Sequence, residues 1–442
     1  MKTSMMLLFR NPFSGLRKMV PTRSFWVWLH RWAGLIMAAF LIIVGATGSL
    51  LAFYPELERL INPHIYPRQV LEKKLDMATL AELAEHRVPA GRVNGVLMEA
   101  NQEATLISMD ARPDNADPPN KLGFDQMIVD PYTGEELARR QFGEISEGMI
   151  NFMPFIYKLH YALALGKFGL WVLGICALIW TIDCFVAFYL TLPQRRRSVT
   201  ASAPASGNHG NWWRRWQPAW KIRWHSGSYK LNFDLHRASG LWLWPVLLIF
   251  AWSSVYMNLW DTVYTWTTRA VMEYKAPWTE FSKREIPLAE PGVDWRQAQR
   301  IGEQLMSEQA NKHGFAVEQV IALRLDRGNG TYQYIVRSSK EIQDRRGRTS
   351  VFFDADTGEL KLALLASGQY SGNTVTNWLF ALHMANVFGL PYRIFVCVLG
   401  LVIVMLSVTG IIIWIRKRAA RLSPKNHQYD SRYLRPSVHR DS

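Results

Sequence analysis

Trp28-Leu29-His30-Arg31-Trp32-Ala33-Gly34-Leu35 opens the first long apolar run of the chain, and Asp234-Leu235-His236-Arg237-Ala238-Ser239-Gly240-Leu241 opens the third. Both read Leu-His-Arg-x-x-Gly-Leu. Working outward, the match continues in order. Val129-Asp130-Pro131-Tyr132-Thr133-Gly134-Glu135 is answered by Phe353-Asp354-Ala355-Asp356-Thr357-Gly358-Glu359. Lys158-Leu159-His160 is answered by Ala381-Leu382-His383, each followed by a glycine-containing break (Gly166 to Gly169; Gly389 to Pro391) and a further apolar run. The chain is therefore a repeat, and the repeat carries the fold.

Four apolar runs, Phe25–Tyr54, Phe168–Leu192, Leu235–Leu259 and Tyr392–Ile415, approach the about 20 residues that cross a hydrocarbon core. Buried helices of a soluble domain rarely run so long without a charged face. Hydrophobic residues are 49% of the 442, with 19 tryptophans, which excludes a disordered chain.

The net charge is +15, and its placement orients the runs. Lys2, Arg10, Arg17, Lys18 and Arg23 precede the first. Arg195, Arg196, Arg197, Arg214, Arg215, Lys221, Arg223 and Lys230 lie between the second and third. Arg416, Lys417, Arg418 and Arg421 follow the fourth. The positive-inside rule places both termini and the middle loop in the cytoplasm, and leaves Pro55 to about Tyr157 and Asp261 to about Trp378 outside. Basic charge confined to span ends does not point to nucleic acid. Trp212-Trp213-Arg214-Arg215-Trp216 reads as an interfacial segment against anionic membrane lipids. The first run is too long for a cleavable signal, and Cys176, Cys184 and Cys397 all fall in apolar runs, so no disulfide is expected outside.

The expected fold is an α-helical integral membrane protein, with four transmembrane helices in two parallel repeats, each with a small outer α+β domain. The boundaries are a cytoplasmic N-terminus (1–24), a first span (25–54), a first outer domain (55–157), a His-bearing short helix with the second span (158–193), a basic cytoplasmic loop (194–230), a third span (231–260), a second outer domain (261–378), a second His-bearing helix with the fourth span (379–415) and a cytoplasmic tail (416–442). Helical patterns over Met77–Glu85 and Asp294–Gln309 start the outer domains. Alternating strands follow, such as Gln319–Leu325 and Tyr332–Arg337 across a turn at Gly328-Asn329-Gly330. Two halves of like orientation relate by a pseudo-two-fold axis along the membrane normal.

Of eleven histidines, four stand at repeat-equivalent positions beside span ends. Singly, each is an ordinary interfacial residue. Together, ionisable groups at membrane depth are costly and mark function, and imidazole is a usual axial ligand of electron-carrying haem. The axis brings equivalents together, pairing His30 with His236 near the inner face and His160 with His383 near the outer face. These four are the candidate iron ligands of two b-type haems. Arg31, Arg237, Lys167 and Arg393 are candidate partners of haem propionates. Asp183 is an acid inside the second run, suited to proton or quinol chemistry or to a bond with a neighbouring helix. Gly34, Gly45, Gly48, Gly240 and Gly410 suit close helix packing, and less so the approach of a macrocycle. His64, His86, His209, His225, His313, His427 and His439 have no repeat partner and read as surface or interfacial residues. The outer segments hold no Ser-His-Asp set, HExxH or phosphate loop, so no catalytic side chain is assigned, and Asp130 to Gly134 reads as a structural turn.

The ordered series Leu29 to Leu35, Thr47-Gly48-Ser49-Leu50, Asp130 to Glu135, Leu159-His160 and their repeats to Val408-Thr409-Gly410 resembles the PepSY-associated transmembrane family, over about Ser24 to Arg418. That family includes iron-regulated inner-membrane proteins and ferric siderophore reductases. The resemblance implies PepSY-like periplasmic domains, bound haem, a bacterial inner-membrane location and electron delivery to a periplasmic ferric siderophore or other ferric chelate. Some relatives carry a fused flavin and nicotinamide domain. This chain ends about 25 residues after the last span, so its donor is expected to be quinol or a separate cytoplasmic reductase. Two other functions fit the pattern: a binding or regulatory module for an envelope protease, since PepSY domains also occur in protease propeptides, and a permease-like chelate transporter. The absence of a broken-helix signal in the four runs argues against the transporter.

Overall fold

The computed structural model describes residues 22–66, 73–98, 104–113, 121–194 and 211–422. Lys2, Arg10, Arg17, Lys18, Arg195, Arg196, Arg197, His209, His427 and His439 lie outside the described residues. The first half runs α1 (Arg23–Leu51), α2 (Tyr54–Ile61), α3 (Met77–Arg87), β1 (Gly91–Met98), β2 (Thr105–Ala111), β3 (Gln126–Val129), β4 (Glu136–Arg140), α4 (Phe152–Ala162) and α5 (Gly166–Thr191). The second runs α6 (Trp212–Trp216), α7 (Ser228–Trp242), α8 (Trp244–Asn258), α9 (Thr265–Val271), α10 (Pro277–Glu280), α11 (Trp295–His313), β5 (Val317–Asp326), β6 (Thr331–Ser338), β7 (Thr349–Asp354), β8 (Leu360–Leu364), α12 (Ser371–His383) and α13 (Gly389–Leu422).

Three helices, α1, α5 and α13, are long and apolar enough to cross a membrane. The third apolar run differs from the continuous helix expected of it. It is two helices, α7 and α8, that meet at 71° about Leu243. Pro245 is the cause: it has no N–H to give Leu241, and its ring clashes with that carbonyl, so it fits only the first turn of a new helix. The broken-helix signal was present in the sequence as Trp244-Pro245.

Local chemistry accounts for the ends of the outer helices. Asp76 caps α3 through the Thr79 N–H, and Asp294 caps α11 in a reciprocal box with Gln297. The matched turns are the same structure twice. Asp130 accepts from the Tyr132 N–H and Asp354 from the Asp356 N–H, while Gly134 and Gly358 take φ of +72° and +76°.

The two outer segments do not form separate sheets. They share one eight-stranded antiparallel sheet of order β4-β3-β2-β1-β5-β6-β7-β8, symmetric about the β1–β5 seam, where Val96 faces Leu323. One face packs on α3 and α11. Val93, Val96, Leu323, Tyr332, Tyr334, Val351 and Phe353 form a single core with Leu80, Ala298 and Met306. The alternate residues, among them Gln333, Ile335 and Phe352, face the other way.

Below the sheet, α1 lies along α13 at small residues. A Cβ on Gly45 would stand 2.8 Å from the Gly400 carbonyl, and the Ser49 hydroxyl donates to the Cys397 carbonyl at 2.8 Å. The sheet is fastened to the helix ends. Arg393 of α13 holds Glu56 of α2, Asp344 accepts from the Gly389 N–H, and Asn386 donates to Gln343.

Candidate functional site: two histidine pairs

The four repeat-equivalent histidines meet in the two expected pairs. The ring centroids of His30 and His236 are 6.2 Å apart, and those of His160 and His383 are also 6.2 Å apart. Two rings that share one metal through bonds of about 2 Å have centroids about 6 Å apart. Edge-to-face contact between rings also permits such a spacing, so the nitrogens decide more than the distance does.

Each Nδ1 has an acceptor. His160 Nδ1 lies 3.0 Å from the Thr47 hydroxyl, which itself donates to the Ile43 carbonyl. His383 Nδ1 lies 2.7 Å from the Ser253 hydroxyl, which donates to the Phe250 carbonyl. His30 Nδ1 is 2.9 Å from the Asp183 carboxylate. His236 Nδ1 is 3.0 Å from the Leu406 carbonyl. Hydroxyls whose protons are spent, a carboxylate and a carbonyl all require the ring proton on Nδ1. The lone pair then sits on Nε2, the form in which imidazole binds a metal with its other nitrogen oriented by a partner. Among the described residues, no side chain or backbone group bonds Nε2 in any of the four.

The repeat explains these partners. Thr47 and Ser253 each stand seventeen residues beyond His30 and His236, and Asp183 and Leu406 each stand twenty-three beyond His160 and His383. At 1.5 Å per residue, seventeen residues of α1 separate the two histidine levels by about 25 Å. Phe250 stacks on His383 at 4.9 Å, and Trp180 packs with it in the apolar cluster between the levels, whereas Trp32 is largely exposed. The hydroxyls are legible in the sequence as a repeated seventeen-residue offset from His30 and His236. The Leu406 carbonyl has no side-chain signal.

The glycines divide by role. Gly48 and Gly410 admit rings: an added Cβ would meet His160 Cε1 at 3.0 Å and His236 Cε1 at 3.3 Å. Gly45 is a helix-packing residue. Gly34 and Gly240 lie one turn beyond His30 and His236, on their face. An added Cβ would find nothing within 4 Å at Gly34, and only Leu406 at 3.9 Å at Gly240, which leaves room for a flat group beside the rings.

The candidate cations behave differently from one another. The buried Nε atoms of Arg31 and Arg237 have no hydrogen-bond partner. Arg31 lines a cavity of about 460 Å³ with Arg23, Gln194 and Arg421. Arg237 also bonds the buried Asp234 at 3.0 Å. Lys167 is exposed. Arg393 is committed elsewhere: its guanidinium pairs with Glu56 at 2.8 Å, donates to the Ala52 carbonyl and lies over Phe53. The Arg393 side chain is buried, and this bond holds the Glu56 carboxyl below its usual range.

Long apolar helices capped by a sheet that is fastened to their ends define a membrane protein. The chain belongs to the PepSY-associated TM family, whose profile, described as the PepSY-associated TM region, matches residues 27–417. No curated protein matches the chain.

Proposed function

We propose that the chain is a di-haem reductase of the bacterial inner membrane, which passes electrons from quinol or a cytoplasmic reductase to a ferric siderophore or similar ferric chelate in the periplasm. In this reading α7 and α8 together make a bent third span beside α1, α5 and α13. The halves are parallel repeats about an axis along the membrane normal, each with a PepSY-like outer half-sheet, and both termini lie in the cytoplasm. The observation that carries the proposal is the tautomer pattern: four Nδ1–H groups held by acceptors, in two pairs whose rings stand 6.2 Å apart. At membrane depth an imidazole acceptor without a donor is costly, and ligation removes that cost.

His30 and His236 would hold one haem and His160 and His383 the other, and each haem supplies a one-electron carrier there. The residues of the chain do the rest. Thr47, Ser253, Asp183 and the Leu406 carbonyl keep the ligating face of each ring fixed, Gly34 and Gly240 leave the macrocycle room, and Arg31 and Arg237 present unpartnered N–H groups to its carboxylates. Each ferric centre takes one electron and becomes ferrous, which oxygen chelators hold less tightly. A quinol oxidised to quinone therefore serves two ferric centres and releases two protons.

A reduced-minus-oxidised spectrum of the purified full chain tests this. Two b-type haems per chain are expected, and a ferric chelate should reoxidise the reduced protein. His30→Ala should remove one haem and leave the other. A protein that folds without haem would instead favour a protease-binding module.

A further inference from the structure

A cavity of about 1000 Å³ lies between the sheet and the outer ends of α8 and α12. Its roof is the sheet face that α3 and α11 leave uncovered. Its floor includes Thr376, Asn377 and Phe380 of α12 and Tyr256 of α8. Two of these floor residues neighbour the His160–His383 site along their helices: Phe380 is one turn before His383, and Tyr256 one turn after Ser253. The volume is at the upper end of the range for small-molecule sites.

Its wall is cationic. Seven lysine and arginine side chains line it against two aspartates, Asp110 and Asp326. Part of this charge is spoken for. Arg327 is tied to Asn94 and to the Leu288, Ala289 and Val93 carbonyls, and Arg345 reaches towards Glu56 at 3.8 Å. Three other donor atoms have no partner, although the same guanidiniums also donate elsewhere, Arg92 Nη1 to the Ala289 carbonyl and Arg348 Nη2 to the Tyr256 hydroxyl, each at 3.3 Å. Among the buried polar atoms without a hydrogen-bond partner are Arg92 Nε, Arg348 Nε and Gln343 Nε2, and all three residues line this cavity. Gln343 is 1% exposed, and its carbonyl oxygen is already occupied by Asn386. Buried donors left without acceptors are costly, so three in the lining of one cavity point to an acceptor-rich occupant. The wall is also aromatic. Trp278, Phe281, Phe352 and Tyr274 line it, and the Arg348 guanidinium lies 4.0 Å over the Phe380 ring.

We infer that this cavity is the chelate-binding site, and that it selects a polyanionic ferric chelate with aromatic or carboxylate donor groups over a neutral one. The inference rests on the reductase reading for the word chelate; the preference for an anion rests on the cavity alone. Arg92, Gln343 and Arg348 donate to the oxygens of the anion, the aromatic wall takes its rings, and Phe380 separates it from His383.

The test is equilibrium dialysis of the full-length protein in detergent against two radio-iron-labelled probes, a trianionic ferric tris-catecholate and a neutral ferric trihydroxamate. The trianion should bind the more tightly, and salt should weaken it. Arg92→Gln, Arg348→Gln and Gln343→Glu should each weaken the trianion about tenfold, as for the loss of one charge-assisted hydrogen bond. The neutral probe should be little changed. Equal binding of the two probes by the unmodified protein overturns the inference without any variant, as does trianion binding unaltered in all three. Charge-dependent binding without reoxidation of the reduced protein upholds the cavity and sinks the reductase reading. Reoxidation with charge-blind binding does the reverse.

Discussion

At the residue scale, the pair of His30 and His236 is unequal. His30 donates to a carboxylate and His236 to a backbone carbonyl, because the repeat places Asp183 in one half where Leu406 stands in the other. A carboxylate on Nδ1 makes the ring a stronger electron donor and favours the oxidised metal. On the proposed di-haem assignment, Asp183→Asn should therefore raise the midpoint potential of one haem and leave the other unmoved, as read by redox titration. It should also loosen that haem about 10- to 100-fold, the usual cost of losing such a partner. Unchanged potentials would show that Asp183 only joins two helices. The same scale separates the arginines: Arg31 and Arg237 keep an unpartnered buried Nε, while Arg393, grouped with them by position, is consumed by Glu56.

At the element scale, the long helices meet where side chains are small. Gly45→Leu would drive a side chain into the Gly400 carbonyl and the Val404 and Ile403 methyls. Overpacking of this kind costs about 1–3 kcal/mol, so the variant should melt earlier in detergent, with His160 less well held because α1 carries Thr47. A melting temperature equal to the parent's would argue that α1 and α13 are not in close contact. The break at Leu243 belongs to this scale as well. Periodicity sees a continuous apolar run there, and only the proline chemistry of Pro245 turns the chain by 71°.

At the scale of the whole molecule, one ion pair ties the outer region to the membrane helices. Arg393 is buried at the head of α13, and Glu56 belongs to α2. The carboxyl of Glu56 is held low in the folded chain, so its contribution is present above the unfolded value of about 4.3 and is lost as the pH falls through the depressed folded value. Glu56 is half exposed, which keeps the effect modest. Glu56→Gln should lower the melting temperature at pH 7 and flatten the loss of stability below pH 4, by thermal unfolding across a pH series. A steep acid loss retained in that variant would assign it to other carboxylates.

Much was legible in the chain before its folding. Apolar run length, the Leu-His-Arg-x-x-Gly-Leu repeat, the Asp-capped helices and the Asp-to-Gly turns follow from local chemistry, and symmetry alone named His30 with His236 and His160 with His383. What needed the tertiary structure was everything that joins residues distant in sequence without a mark at either end. The two outer segments merge at β1 and β5 because equivalent edge strands can pair across the seam. The His236 Nδ1–H finds a carbonyl that any residue at position 406 would offer. Gly48 turns from helix packing to admit a ring, and Arg92, Gln343 and Arg348 bring unpaired donors to one cavity. Sequence patterns encode which face of an element is apolar; which backbone atom or orphaned donor that face meets is set only when the elements pack.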